Sequence, residues 1–220
     1  MEGSPHAMNT HTQQWFILRP YQEESIGRVL AAYKRRPEGG KALVVLPTGC
    51  GKTIVFAEVA RRLTLTTLVI AHRQELLQQA ADKFHLIDPT AVIGQVGAGQ
   101  REYGAPITVA SVQTMARPEH LRVLPTFGYG LVIVDEAHHT SSASYQAVLR
   151  ALPYAFVLGV TATPDRLDKQ RIEDIFGQPV YEASIIDMVE KGYLSDLRAI
   201  AIRTHTSLDG LHTQAGEADH

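Results

Sequence analysis

The chain has 220 residues, 45% of them hydrophobic, which is enough for one α/β domain, not comfortably for two, and excludes wholesale disorder. Lysine and arginine (21) nearly balance aspartate and glutamate (23), so with a net charge of −2 any nucleic-acid surface must be a local patch. A single cysteine excludes an intrachain disulfide framework and fits a reducing compartment, no apolar run approaches a membrane span, and Met1 to Thr12 lacks the apolar stretch of a signal peptide, so a cytoplasmic or nuclear location is expected.

Residues 1–16 read as a flexible leader with the look of a cloning scar. Leu18-Arg19-Pro20-Tyr21-Gln22 opens the ordered part, with Pro20 suited to a first helical turn and Ile26, Val29, Leu30 and Tyr33 forming an amphipathic stripe. Lys34-Arg35-Arg36, a solvated helix end rather than a binding patch, leads through Pro37, Gly39 and Gly40 to the apolar run Ala42–Leu46. A helix follows to about Arg62, then a second apolar run, Thr67–Ala71, and a helix from His72 to about Phe84. Ala91–Val96 is strand-like, Gly97, Gly99 and Gly104 mark a hairpin or loop, and Ile107–Ala110 is a buried strand running into Ser111. Pro118 and Pro125 bracket a connector before Leu131–Val134, the most apolar run of the chain. A helix is expected over Ser141–Leu152, a strand over Phe156–Val160, helices over Asp168–Phe176 and Ile185–Lys191, and a last strand over Leu197–Arg203, before a polar tail. Continuous apolar strands alternating with helices predict a parallel sheet covered on both faces, with ligands beyond the carboxyl ends of the strands.

Three polar clusters fall at such strand ends. Pro47-Thr48-Gly49-Cys50-Gly51-Lys52-Thr53 sits between strand and helix, where a phosphate cradle belongs. Gly49 and Gly51 permit a close backbone approach, and the free amides of the following helix attract an anion. Lys52 would meet the β- and γ-phosphates and the Thr53 hydroxyl would hold Mg2+. The generic pattern asks for glycine where Leu46 stands. Cys50 suits a small loop-filling role better than that of a reactive thiol. Asp135 and Glu136 follow four apolar residues, and a carboxylate at a buried strand end is costly unless it meets a cation or donors. Asp135 would hold Mg2+ largely through water, and Glu136 would position and deprotonate the attacking water. His138-His139 has neither the spacing nor the cysteines of a zinc site; His138 would link the phosphate site to Thr161 and Thr163, whereas His139 is expected to be merely solvated or packed. The two halves of the site are expected on neighbouring strand tips.

Pro47–Thr53, Asp135-Glu136-Ala137-His138 and Thr161-Ala162-Thr163 together resemble motifs I, II and III of superfamily-two helicases of the DEAH-box type. Leu18–Gln22 is similar to the segment whose glutamine reads adenine, Ala71–Leu76 to motif Ia, and Val109–Thr114 to the next nucleic-acid-facing motif. The doubled histidine and the Leu-Arg-Pro-Tyr-Gln opening point to the branch of XPB-like, RadD-like and restriction-enzyme translocases. The resemblance implies a three-layer α/β/α RecA-like P-loop domain over residues 17–205, the first lobe of an ATP-driven DNA motor. It implies ATP, ADP and Mg2+ as ligands, Arg19 and Gln22 at adenine, and Thr48, Gly49, Cys50, Gly51, Lys52 and Thr53 around the phosphates. Lys52, Asp135, Glu136 and His138 would form the catalytic set. Arg73, Ser111, Gln113 and Thr114 would touch the backbone of single- or double-stranded DNA without reading sequence, and Thr161 and Thr163 would couple nucleotide state to DNA grip. Each assignment has a plainer counterpart: Gln22 as an exposed helix residue, Arg73 as a helix-capping charge, the two threonines as local backbone caps.

The family's arginine motif, Q-x-x-G-R-x-x-R, is absent, and Gly27-Arg28, the only Gly-Arg pair, lies in the first helix. The reading is therefore of a first lobe whose second RecA-like lobe is missing, with 206–220 a disordered tail or the start of a linker, expected to bind nucleotide and turn it over slowly. The alternatives are a P-loop ATPase that ignores nucleic acid, an RNA helicase lobe, and a non-catalytic scaffold.

Overall fold

The computed structural model describes residues 17–72, 74–162 and 166–196, and of residues 74–77 and 166–168 the backbone alone. Eight strands form one sheet: β1 Lys41–Val45, β2 Thr67–Ala71, β3 Ile93–Gly97, β4 Gln100–Arg101, β5 Ile107–Ser111, β6 Leu131–Asp135, β7 Phe156–Thr161 and β8 Tyr181–Glu182. Their order is β4-β3-β5-β2-β6-β7-β1-β8, and every ladder is parallel except the β3–β4 hairpin. The helices are α1 Pro20–Arg35, α2 Lys52–Leu63, α3 Gln74–Ile87, α4 Val112–Met115, α5 Pro118–Val123, α6 Ala143–Ala151, α7 Arg166–Phe176 and α8 Ile185–Glu190.

Strand period places alternate residues in two cores. On one face Val44, Val69, Ile133 and Leu158 meet Val29 of α1 and Phe56 of α2. On the other Leu43, Ile70 and Val132 meet Met115 of α4, Tyr145 of α6 and Phe176 of α7. The result is the expected α/β/α sandwich. Gly159 of β7 admits this packing: a Cβ there would stand 2.7 Å from the Phe176 ring and 3.1 Å from the Ala137 Cβ. No helix among the described residues is long and apolar enough to cross a membrane.

Several expectations need correction. The connector between Pro118 and Pro125 is helical: Pro118 starts α5 in the first turn, where a missing N–H costs nothing, and a 3-10 turn, Leu124–Phe127, follows. The two-residue strands β4 and β8 are too short to show a period. The expected strand Leu197–Arg203, the leader and the tail lie outside the described residues.

Candidate functional site

The register aligns the strand ends that carry polar motifs. Val45 of β1 pairs with Thr161 of β7, Asp135 of β6 with Val160 of β7, Ile70 of β2 with Val134 of β6, and Ala71 of β2 with Ser111 of β5. The carboxyl edge therefore presents Ser111, His72, Asp135-Glu136, Thr161 and the phosphate loop in spatial succession. The acidic pair is not on the strand next to the phosphate loop, as the sequence suggested: β7 stands between them and inserts Thr161. Strand order is decided by long-range pairing, which local pattern does not encode.

Between β1 and α2 the chain turns tightly. Gly49 (φ 87°) and Gly51 (φ 73°) both lie in the left-handed region, where glycine carries no Cβ penalty. The Cys50 amide donates to the Pro47 carbonyl at 3.1 Å. Gly51 provides no side-chain cap; its carbonyl accepts from the Ile54 and Val55 amides at 3.0 and 3.2 Å, which leaves the Lys52 and Thr53 amides at the start of α2 without intrahelical acceptors. A Cβ on Gly51 would stand 2.7 Å from the Gln22 amide nitrogen and would displace that side chain from the loop, at a position whose φ of 73° already favours glycine. Gln22 is buried, not an exposed helix residue: its Nε2 donates to the Cys50 carbonyl at 3.2 Å while its Oε1 accepts from the Arg19 amide at 2.9 Å. The Tyr21 hydroxyl donates to the same carbonyl at 2.8 Å. Burial pushes the Cys50 thiol up, which favours its loop-filling role over a reactive one. Arg19 remains exposed, with its guanidinium donating to the Tyr193 carbonyl at 3.2 Å and lying 5.9 Å from the centre of the Tyr193 ring.

Across the edge, Lys52 Nζ approaches Glu136 Oε1 at 4.0 Å. Asp135 is held above the usual carboxylate range, first by burial and then by the charge of Glu136, against the partial relief of the Glu136 amide donating to Oδ1 at 3.0 Å. Glu136 adopts φ 54°, a left-handed conformation costly outside glycine, which turns its carboxylate back toward Lys52. His138 Nδ1 lies 3.0 Å from the Thr161 hydroxyl and 3.4 Å from Glu136 Oε2. The Thr161 hydroxyl shares a hydrogen bond with Nδ1, and the Glu136 carboxylate stands within ion-pair reach of the same nitrogen. The expected link from His138 to Thr161 is thus present; Thr163 lies outside the described residues.

At the far end, the buried Ser111 hydroxyl donates to Gln113 Oε1 at 2.7 Å, and the exposed Gln113 amide donates to His72 Nδ1 at 3.1 Å. Thr114 follows on the single turn of α4, half-buried. Arg73 lies outside the described residues. Two residues escaped sequence reading. The Tyr145 hydroxyl is buried with no hydrogen-bond partner among the described residues and is pushed up by burial and then by the charges of Asp135 and Glu136. Tyr193 packs edge-on against Tyr21 at 4.7 Å and braces Arg19. Neither has a local signature: each is a single tyrosine in or beside an ordinary amphipathic helix.

The chain is similar to IRC3 of Saccharomyces cerevisiae, provisionally named an ATP-dependent helicase, with 27% identity over 221 residues covering 91% of this chain and 31% of that protein. It is 27% identical over 214 residues to the DNA 3'-5' helicase XPB of Kineococcus radiotolerans, covering 92% of this chain and 36% of that protein. It therefore spans about a third of the length of these relatives. The UvsW helicase from bacteriophage T4 superposes with a TM-score of 0.57 at 23% identity, over 75% of this chain and 59% of that structure. The sheet and its flanking helices share the fold of that structure. The model for the res subunit of type III restriction enzymes matches residues 16–166, and the chain belongs to that family.

Proposed function

We propose that the chain is the ATP-binding motor lobe of a DNA helicase or translocase, acting with a second RecA-like lobe in the bacterial cytoplasm or nucleoid, or in a nucleus. The observation that carries this is the approach of Glu136 to Lys52 at 4.0 Å, across a strand edge whose other wall is the glycine turn at the start of α2. The donor set fits Mg2+. Asp135 is a desolvated carboxylate beside a second negative charge, which a hard cation relieves, and Thr53 offers a hydroxyl from the opposite element. Mg2+-ATP would supply the scissile phosphoanhydride and the counter-charge for it.

The remaining roles belong to this chain's own groups. The α2 amides and Lys52 bind the phosphates, and Thr48 and Gly49 stand exposed at the mouth of the loop. Glu136 is oriented to take a proton from the attacking water, with His138 Nδ1 within ion-pair reach of its carboxylate. Gln22 ties the adenine-side helix to the phosphate loop, and Arg19 is presented beside it. Ser111, Gln113 and Thr114, together with Arg73, grip the DNA backbone. An arginine from the second lobe would supply the transition-state charge, an effect of roughly 10³–10⁵ in related phosphoryl transfers, so this chain alone is expected to bind nucleotide and turn it over slowly.

Calorimetric titration of Mg2+-ATP into wild type and Lys52→Ala tests the reading. Wild type is expected to bind, and the variant to bind at least about tenfold more weakly, the loss of one charge-assisted contact. Equal binding by both would favour a scaffold, and binding of ATP without any DNA affinity at low salt would favour an ATPase that ignores nucleic acid.

A further inference from the structure

The two ends of this edge are joined by a row of imidazoles. Gln113 donates to His72 Nδ1 at 3.1 Å. The His72 ring lies 5.0 Å from the His139 ring at 31°, and His139 lies 4.1 Å from His138 at 47°. His138 meets Glu136 and Thr161. The side chains from Ser111 through Gln113, His72, His139 and His138 to Glu136 and Lys52 thus form one continuous series of contacts. We propose that His139, through its ring contacts to His72 and His138, couples occupancy of the DNA-facing cluster to the placement of the Glu136 carboxylate. This rests on the reading of the chain as a nucleotide- and DNA-binding lobe.

The backbone supports the assignment. His138 and His139 are consecutive in the 3-10 turn Ala137–His139, which opens at left-handed Glu136. The His139 amide donates to the Glu136 carbonyl and the Thr140 amide to the Ala137 carbonyl, each at 3.0 Å, while the Thr140 hydroxyl donates to the Ala137 carbonyl at 2.5 Å. The turn is therefore tied by three hydrogen bonds, and a backbone rotation of the turn that moves Glu136 relative to Lys52 carries both rings with it. His72 directly follows β2, a different strand, and leads to Gln113 on α4, so a shift of the turn is felt where the DNA backbone would lie. Thr161 offers a separate route, which passes through His138 and not through His139. His139 acts here through its ring contacts with His72 and His138, so its part is positioning. Physical contact alone does not establish coupling; a measured interaction between the two sites does.

DNA affinity of this chain, followed by anisotropy of a labelled oligothymidylate with and without Mg2+ and a non-hydrolysable ATP analogue, supplies that measurement. In wild type the analogue is expected to change the DNA Kd by about 5-fold or more, and DNA to change the analogue's Kd by the same factor, as linkage requires. In His139→Ala the factor is expected to fall to about one while each Kd measured alone stays within about twofold of wild type. His139→Phe keeps a flat ring and is expected to retain the factor; a loss equal to that of His139→Ala would overturn ring packing as the carrier. A His139→Ala protein that keeps the factor, with or without a lowered Tm, also overturns the proposal, as does a wild type that binds both ligands with no mutual effect. A wild type that binds neither ligand instead sinks the functional reading beneath it.

Discussion

Asp135 illustrates how a functional residue works against the stability of its own fold. Its carboxyl is driven up by burial and by Glu136, so the ionised form is disfavoured in the folded protein relative to the unfolded chain. Stability from this group is therefore lost as pH rises from the ordinary carboxylate value through the raised folded one. Asp135→Asn removes the charge at nearly constant shape. Its nucleotide-free Tm at pH 7 is expected to exceed that of wild type by a few degrees, on the order of 2–4 °C per kcal/mol relieved, and Mg2+ should no longer strengthen binding of an ATP analogue. A Tm below wild type, read by differential scanning calorimetry, would mean that the carboxylate is already satisfied by protein groups. Most of this site was legible in the sequence, because Gly49, Gly51, Lys52 and the Asp135-Glu136 pair are placed by local strand–turn–helix grammar. Gln22, His72 and Tyr145 were harder, since their roles depend on which side chain from a distant element arrives opposite. The resemblance singled out Gln22 for adenine, but its contact with the Cys50 carbonyl came only with the fold.

At the scale of elements, α1 and α2 are bound by charge as well as by packing. Glu58, nearly buried on α2, accepts from Arg61 at 2.6 and 2.7 Å and from Arg62 at 2.7 Å, while Arg62 reaches across to Glu23 of α1 with two contacts of 2.6 Å. Burial by itself would raise the Glu58 carboxyl, but the guanidinium hydrogen bonds outweigh it and hold the group below its ordinary value of 4.5; Glu23 is lowered by Arg62 in the same way. For a lowered carboxylate the stabilisation is complete above the unfolded value and disappears as pH falls through the folded one. Glu58→Gln is therefore expected to cost about 1–3 kcal/mol at neutral pH, toward the lower end because Arg61 is half exposed, and to flatten the acid limb of the stability curve below pH 4.5. Urea midpoints at pH 7 and pH 4 measure both effects, and parallel curves for wild type and variant would refute the role of the network. The sequence showed α2 and its apolar stripe but not this network, because the bridge from Arg62 to Glu23 spans 39 positions. The helical turn between Pro118 and Pro125 was hidden for the opposite reason: it is local, but two prolines in eight residues look like a connector until one of them proves to occupy a first turn.

For the whole molecule, the sheet order does what no single motif could. It sets the glycine turn before α2 and the Ser111–Gln113–His72 cluster on one edge, with β6 and β7 between them, and the parallel α/β class was evident from the continuous apolar runs while the order β5-β2-β6-β7-β1 was not. The charge balance then limits how the DNA end can bind. With 21 basic and 23 acidic residues there is no general cationic field, and of the four residues expected on the DNA backbone only Arg73 carries a charge. Ser111, Gln113 and Thr114 are neutral and would displace no counterions, and the Ser111 hydroxyl already donates to Gln113. Each phosphate neutralised on a single strand contributes about −0.7 to the slope of log affinity against log salt, so this chain, with one such cation, is expected to give a slope of about −0.7. Arg73→Ala should flatten it by about 0.7 and weaken binding equally on unrelated sequences, since backbone contacts position without reading bases. Gln113→Ala should weaken binding with no change of slope. A slope several times steeper in wild type would place the DNA on another, cationic face and separate it from the histidine row; a slope unchanged by Arg73→Ala would remove that arginine from the interface while leaving the neutral donors in place.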